Sequence, residues 1–144
     1  MNKWHKRYME LAFHIADWSP DPRKKVGAVI VRDNRVLSQG YNGLPSGVKN
    51  LPERLVKPLK LDCVVHAEMN AIATAARMGH PLRKATIYST FYPCPTCAGA
   101  IIQAGIETVV TYEAPSTSSW SEKMDLSKEM FREAHIEVVI VKNK

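Results

Sequence analysis

Cysteine is scarce in this chain of 144 residues, with only Cys63, Cys94 and Cys97. Three thiols leave no disulfide framework and suit a reducing compartment. No apolar run approaches the roughly 20 residues that cross a bilayer, so no membrane association is expected. The basic N-terminus, Met1 to Arg7, leads into an amphipathic pattern rather than an unbroken apolar segment. That pattern argues against a secretory leader, and the expected location is cytoplasmic. Acidic residues are also in deficit, 14 against 20 Lys and Arg, for a formal net charge of +6. The excess favours an anionic partner, either a phosphorylated small molecule or a nucleic acid. The basic residues are scattered, however, with Arg23-Lys24-Lys25 the longest cluster. A concentrated basic stripe and an aromatic platform, the usual marks of a nucleic-acid binder, are both missing. Repeats, linkers and low-complexity segments are missing too, so residues 1–144 read as one domain.

What is present is hydrophobic periodicity that switches along the chain. Trp4, Tyr8, Leu11, Ile15 and Trp18 recur at spacings of three and four, the stripe of a first helix closed by Ser19-Pro20-Asp21-Pro22. Val26 to Val31 and Val36 to Tyr41 read as strands flanking a tight turn at 32–35. A long connection, Asn42 to Asp62, is punctuated by Gly43, Pro45, Gly47, Pro52 and Pro58, and a connection of that length is more often functional than accidental. Helices are predicted over Val65 to Met78, Cys94 to Ala104 and Ser121 to Ala134, and strands over Thr86 to Thr90, Thr108 to Tyr112 and Glu137 to Val141. Glu113 to Trp120 reads as a polar loop. A hairpin followed by alternating strands and helices makes an α/β sandwich, a sheet between helical layers.

Two short motifs carry the chemistry, His66-Ala67-Glu68 and Pro93-Cys94-Pro95-Thr96-Cys97. Imidazole and thiolates are ligands that zinc prefers, and three of them leave a fourth tetrahedral position for water, as catalytic rather than structural zinc sites do. Both motifs fall at expected helix starts, in the first turn, where the helix dipole favours thiolates. Glu68 is placed as a general acid/base beside that water. The combined pattern H-x-E…P-C-x-x-C is the established signature of zinc-dependent nucleobase deaminases.

The likeness extends beyond the metal motifs. Val26-Gly27-Ala28-Val29-Ile30-Val31, Gly40-Tyr41-Asn42-Gly43-Leu44-Pro45-Ser46-Gly47-Val48, His66 to Ile72 and Pro93 to Ala98 together resemble the deoxycytidylate (dCMP) deaminase family of the cytidine deaminase-like superfamily. The resemblance runs from about Trp4 to Tyr112, and the Gly-Tyr-Asn-Gly-x-Pro-x-Gly segment points to its nucleotide-specific branch. It implies a three-layer αβα sandwich with a mixed five-stranded sheet and hydrolysis of dCMP to dUMP and ammonia, which supplies dUMP for thymidylate synthesis. His66, Cys94 and Cys97 would hold one zinc per chain, and Glu68 would carry a proton from the attacking water to the departing amine. Asn42 would bond the deoxyribose, Ser19 and Lys25 the 5′-phosphate, and Tyr112 would stack on the pyrimidine; Ala67 is a further substrate-binding candidate, with Tyr41 and Gly43 the candidates for effector binding. The family's habit further implies a homohexamer activated by dCTP and inhibited by dTTP, with Mg²⁺ accompanying a nucleoside triphosphate effector.

One departure matters. Several members carry a second, structural zinc on Cys and His residues between the Gly-rich loop and the His-x-Glu motif. Here residues 49–65 hold only Cys63 and no histidine, so a single zinc is expected, with Cys63 a small apolar residue. Two other readings stand beside this one. Cys97-Ala98-Gly99-Ala100 also resembles tRNA adenosine deaminases. A non-catalytic zinc module would need a fourth protein ligand, for which Cys63 is the poor candidate on offer.

Overall fold

The computed structural model describes residues 2–115 and 118–142. Its elements run α1 (Lys3–Ala16), β1 (Gly27–Arg32), β2 (Arg35–Tyr41), a 3₁₀ turn (Pro52–Leu55), α2 (Lys60–Cys63), α3 (Ala67–Met78), β3 (Thr86–Ser89), α4 (Pro95–Gln103), β4 (Thr108–Tyr112), α5 (Ser118–Glu133) and β5 (Glu137–Val141). The five strands form one sheet in the order β2-β1-β3-β4-β5. β1 pairs antiparallel with β2 and β3, whereas β3, β4 and β5 are mutually parallel. Parallel neighbours need a crossover, and α4 and α5 supply the two. The β1–β2 turn is a two-residue loop in which Asp33 and Asn34 both adopt positive φ, 53° and 58°. That conformation matches the strand twist, and Asn and Asp tolerate it better than most residues.

Side chains alternate across the sheet and divide the core in two. Val29, Val31, Tyr88 and Val110 face α1, packing on Met9, Ala12 and Ile15. Ala28, Ile30, Ile87 and Val109 face the opposite layer, where α3, α4 and α5 contribute Ala71, Ala75, Ile101, Met124 and Phe131. The result is the αβα sandwich with a mixed five-stranded sheet that the sequence implied.

The buried face of α1 differs from the expected stripe. Met9, Ala12, Ile15 and Ala16 are buried, whereas Trp4 and Trp18 are 38% and 51% exposed. The cause is a close helix–strand approach at Gly27, where a Cβ would lie 2.0 Å from the Ala12 carbonyl oxygen. Only alanines on the facing turn permit that spacing. A second such approach positions the site. A Cβ on Gly40 would lie 2.5 Å from the Ala71 nitrogen, and the Ser38 hydroxyl donates to the Ala71 carbonyl at 2.6 Å. β2 therefore locks α3 and its N-terminus in place. The 42–62 connection is not featureless, since it contains the 3₁₀ turn and α2. No helix of the described residues is long and apolar enough to cross a membrane.

Candidate metal and catalytic site

The N-termini of α3 and α4 meet beside the sheet, and each begins on a ligand. His66 and Cys94 are the N-cap residues, with extended backbones (φ −66°, ψ 155° and φ −70°, ψ 167°), one position outside the first turn where the sequence placed them. No side-chain cap bond is made at either helix start; the His66 ring lies against the Cys94 and Cys97 sulfurs instead. Pro95 starts α4 with its φ already helical and no N–H to satisfy. Cys97, one turn along, is buried.

His66 Nδ1 lies 3.4 Å from Cys94 Sγ and 3.4 Å from Cys97 Sγ. A tetrahedral zinc with Zn–N near 2.0–2.1 Å and Zn–S near 2.3 Å separates N and S by about 3.5 Å. The donor set thus fits zinc in type and spacing. Among the described residues these three form the one group of His, Cys or acidic side chains drawn together for a metal. Cys63 is not in it.

The thiols also show why a cation belongs there. The Cys97 thiol and then the His66 ring hold Cys94 down, to about 4, while the neighbouring Cys94 and burial push Cys97 up. Two thiols therefore share a single negative charge, and a dication would let both ionise.

Glu68, in the first turn of α3, is 4% exposed, and burial pushes its pKa up to about 7. A carboxyl poised near neutrality can both accept and return a proton. The raised pKa also has a stability consequence. The folded value lies above the ordinary 4.5, so the protonated acid stabilises the fold, an advantage fully present below pH 4.5 and lost as pH rises through 7. Glutamine carries no charge to desolvate. At pH 8 the metal-free Glu68→Gln protein is expected to exceed wild type by about 2–3 kcal/mol, since each tenfold change in proton affinity is worth about 1.4 kcal/mol. Urea unfolding at pH 8 and pH 4.5 checks this, and an equal difference at both values would contradict it.

These groups open onto a cavity of about 460 Å³. Asn42, His66, Glu68 and Cys94 are polar groups in its lining, and Val26, Leu61, Val64, Ala67, Phe91, Tyr92, Trp120 and Met124 its largely apolar members. Lys24, Lys57, Lys60 and Lys123 complete the lining. A planar uncharged ring attached to an anionic group suits a lining of that composition.

The remaining residues proposed from sequence divide. Ala67 and Asn42 line the cavity. Asn42 accepts from the Val26 N–H and donates to the Lys24 carbonyl, both at 2.8 Å, and so braces the loop entering β1. It retains one N–H and one lone pair for a ligand.

Ser19 does not reach the cavity. It is buried, donating to the Asn42 carbonyl at 2.7 Å and accepting from the Asp21 N–H. Lys25 is exposed and outside the lining. Tyr112 packs with the α1 layer, its ring 5.7 Å from that of Phe13, on the far side of the sheet from the cavity. Strand alternation thus directs Tyr112 away from the cavity lining. Tyr41 is 38% exposed against Trp18, and Gly43 forms a bridge with Val65; neither lines the cavity.

Sequence reasoning missed Lys24, Phe91 and Trp120. The signal was available for the first. Val26 lines the cavity, Lys25 points away and Lys24 returns to it, the period-two alternation of an extended chain.

Comparison with known proteins adds four findings. Residues 2–113 match the family described as the cytidine and deoxycytidylate deaminase zinc-binding region. An uncharacterized deaminase from the luxG 3′ region of Aliivibrio fischeri is 41% identical over 140 residues, 96% of this chain and 93% of that protein. Human deoxycytidylate deaminase is 39% identical over 115 residues, 75% of this chain and 64% of that longer protein. Among solved structures, the dCMP deaminase of cyanophage S-TIM5 in complex with dCMP and dUMP superposes with a TM-score of 0.79 at 28% identity, covering 98% of this chain and 99% of that one.

Proposed function

The chain belongs to the cytidine and deoxycytidylate deaminase family, and from that premise we propose that it hydrolyses dCMP to dUMP and ammonia. The observation that carries this reading is the His66, Cys94 and Cys97 triad, of which His66 and Cys94 line one cavity with the buried Glu68. Zinc, when bound, supplies the Lewis acidity that makes water a nucleophile near neutral pH. His66, Cys94 and Cys97 would hold it. Glu68 removes a proton from the water that adds to C4 of the ring and delivers it to the exocyclic amine, which leaves as ammonia. Ala67, between the ligand and the acid/base, contacts the pyrimidine, and Asn42 offers its spare amide groups to the deoxyribose. The apolar walls keep bulk water from competing for these contacts.

The single domain of residues 1–144 works as a homo-oligomer, for which a hexamer is the family habit. Trp4, Phe13 and Trp18, each more than a third exposed, supply contact area. Control by dCTP and dTTP, with Mg²⁺ accompanying the triphosphate, would act through Tyr41 and Gly43, which lie outside the substrate cavity. The cytoplasm, where dUMP feeds thymidylate synthesis, is the proposed compartment. An assay of the zinc-loaded protein with dCMP, deoxycytidine and a tRNA anticodon stem tests the substrate. Conversion of dCMP well above the other two is expected. Inosine formed in the anticodon stem, with dCMP untouched, would reassign the chain to RNA.

A further inference from the structure

The cavity wall contributed by residues 44–64 is attached to the rest of the protein thinly. Its 3₁₀ turn and α2 bury no residue, and none of its side chains joins either hydrophobic core. Its backbone hydrogen bonds, such as the Val48 N–H to the Pro45 carbonyl and the Lys60 N–H to the Val56 carbonyl, run within the segment. A bridge between Gly43 and Val65 holds its two ends together. Between those ends, one hydrogen bond or ion pair among the described residues reaches the rest of the chain, Lys60 Nζ to Asp21 Oδ2 at 2.5 Å. Yet Lys57, Lys60, Leu61 and Val64 all line the cavity. Leu61 is 71% exposed, an apolar side chain on a wall with little packed behind it. A segment with so few buried apolar contacts opens locally at low cost.

The Asp21 end of that contact is built into the fold. Its side chain is 1% exposed. Oδ1 accepts from the N–H groups of Arg23 (2.8 Å) and Lys24 (3.0 Å), and Oδ2 has no described partner but the Lys60 ammonium. Burial pushes the carboxyl up, but Lys60 and the two N–H groups outweigh it and hold Asp21 below the ordinary carboxylate range, so it stays charged. A buried carboxylate stripped of its cation is costly, which favours the closed pair. We propose that Asp21 is a positioning residue: through Lys60 it latches residues 44–64 as a wall of the cavity, and the segment opens as a strap to admit substrate when the pair parts. The inference rests on the deaminase reading of that cavity. Asp21 is absent from the lining, so it acts on the reaction only through its neighbours.

The test is amide hydrogen exchange on the zinc-loaded full chain, wild type against Asp21→Asn. Asparagine keeps the Oδ1 acceptor for Arg23 and Lys24 and removes the charge that faces Lys60. Exchange over residues 49–63 is expected to quicken about 10- to 100-fold, the loss of one charge-assisted bond, with β1 and α3 unchanged. KM for dCMP is expected to rise about 3- to 10-fold at nearly constant kcat, because a smaller closed population binds. Lys60→Met should give the same local change, and the double variant no more than Asp21→Asn alone, since both remove one contact. Saturating dUMP should slow exchange over 49–63 in wild type, a readout that needs no variant to fold. Wild-type exchange over 49–63 in folded Asp21→Asn would overturn the proposal. So would loss of protection spread across the chain, additive effects in the double variant, or a wild-type segment indifferent to bound dUMP. Failure of the deaminase reading itself looks different: dCMP is then not turned over and dUMP does not bind, while the local difference between the free proteins persists.

Discussion

Glu68→Gln is expected to keep its fold and its zinc while losing about 10²–10⁴ in turnover, toward the upper end of what general acid/base catalysis supplies. The magnitude follows from position. Glu68 is buried in the first turn of α3, two residues after His66, and burial holds its pKa near the pH at which it must both take and return a proton. Glutamine preserves the shape and can still hydrogen-bond, but it cannot carry the proton in either direction. Because the carboxyl is used twice, on the water and on the departing amine, its removal cannot be offset by adjusting one step. Steady-state kinetics with dCMP, alongside metal content on the same sample, reads the result. Near wild-type turnover would remove Glu68 from the mechanism. The same substitution should stabilise the metal-free protein at pH 8, so lost activity cannot be ascribed to unfolding.

Cys97→Ala is expected to abolish metal binding and, with it, activity. Cys97 is 1% exposed, and its sulfur stands 3.4 Å from His66 Nδ1 in a set of only three donors. With one thiolate gone, two protein ligands remain, too few to retain zinc against micromolar chelator. Alanine is the best helix former, and the substitution falls in the first turn of α4, so the backbone should persist. Elemental analysis is expected to give one zinc per chain in wild type and almost none in the variant. Full retention would place the ligands elsewhere, and two zincs per wild-type chain would reveal a site beyond the triad.

Much of this architecture is legible in the sequence. Thr108 to Tyr112 and Glu137 to Val141 are strands at the expected bounds because they are short β-branched runs between turn signals. The metal triad is legible because its ligands come as two local motifs. What failed depended on contacts between distant segments. Trp4 and Trp18 look like core from periodicity alone, but Gly27 draws α1 so close that only the Ala12 and Ala16 face fits.

The other misses are errors of one residue. Lys24 and Val26 line the cavity while Lys25 lies outside its lining, and Tyr112 packs in the α1 layer, because a single step along extended chain reverses side-chain direction. His66 and Cys94 lie one position before their helices, because an N-cap is a residue leaving extended backbone. The stretch from Ser116 to Ser119, an alternative phosphate locus within the expected polar loop, lies outside the described residues apart from the backbone start of α5.

The most direct test of the central claim is metal reconstitution with dCMP as substrate. Metal-free protein is titrated with zinc while loss of dCMP and appearance of dUMP and ammonia are followed together. Activity is expected to rise linearly with zinc and to break at one equivalent per chain, with dUMP and ammonia formed in equal amounts. Full activity in the chelated protein, or zinc-loaded protein that leaves dCMP unchanged, would contradict the account.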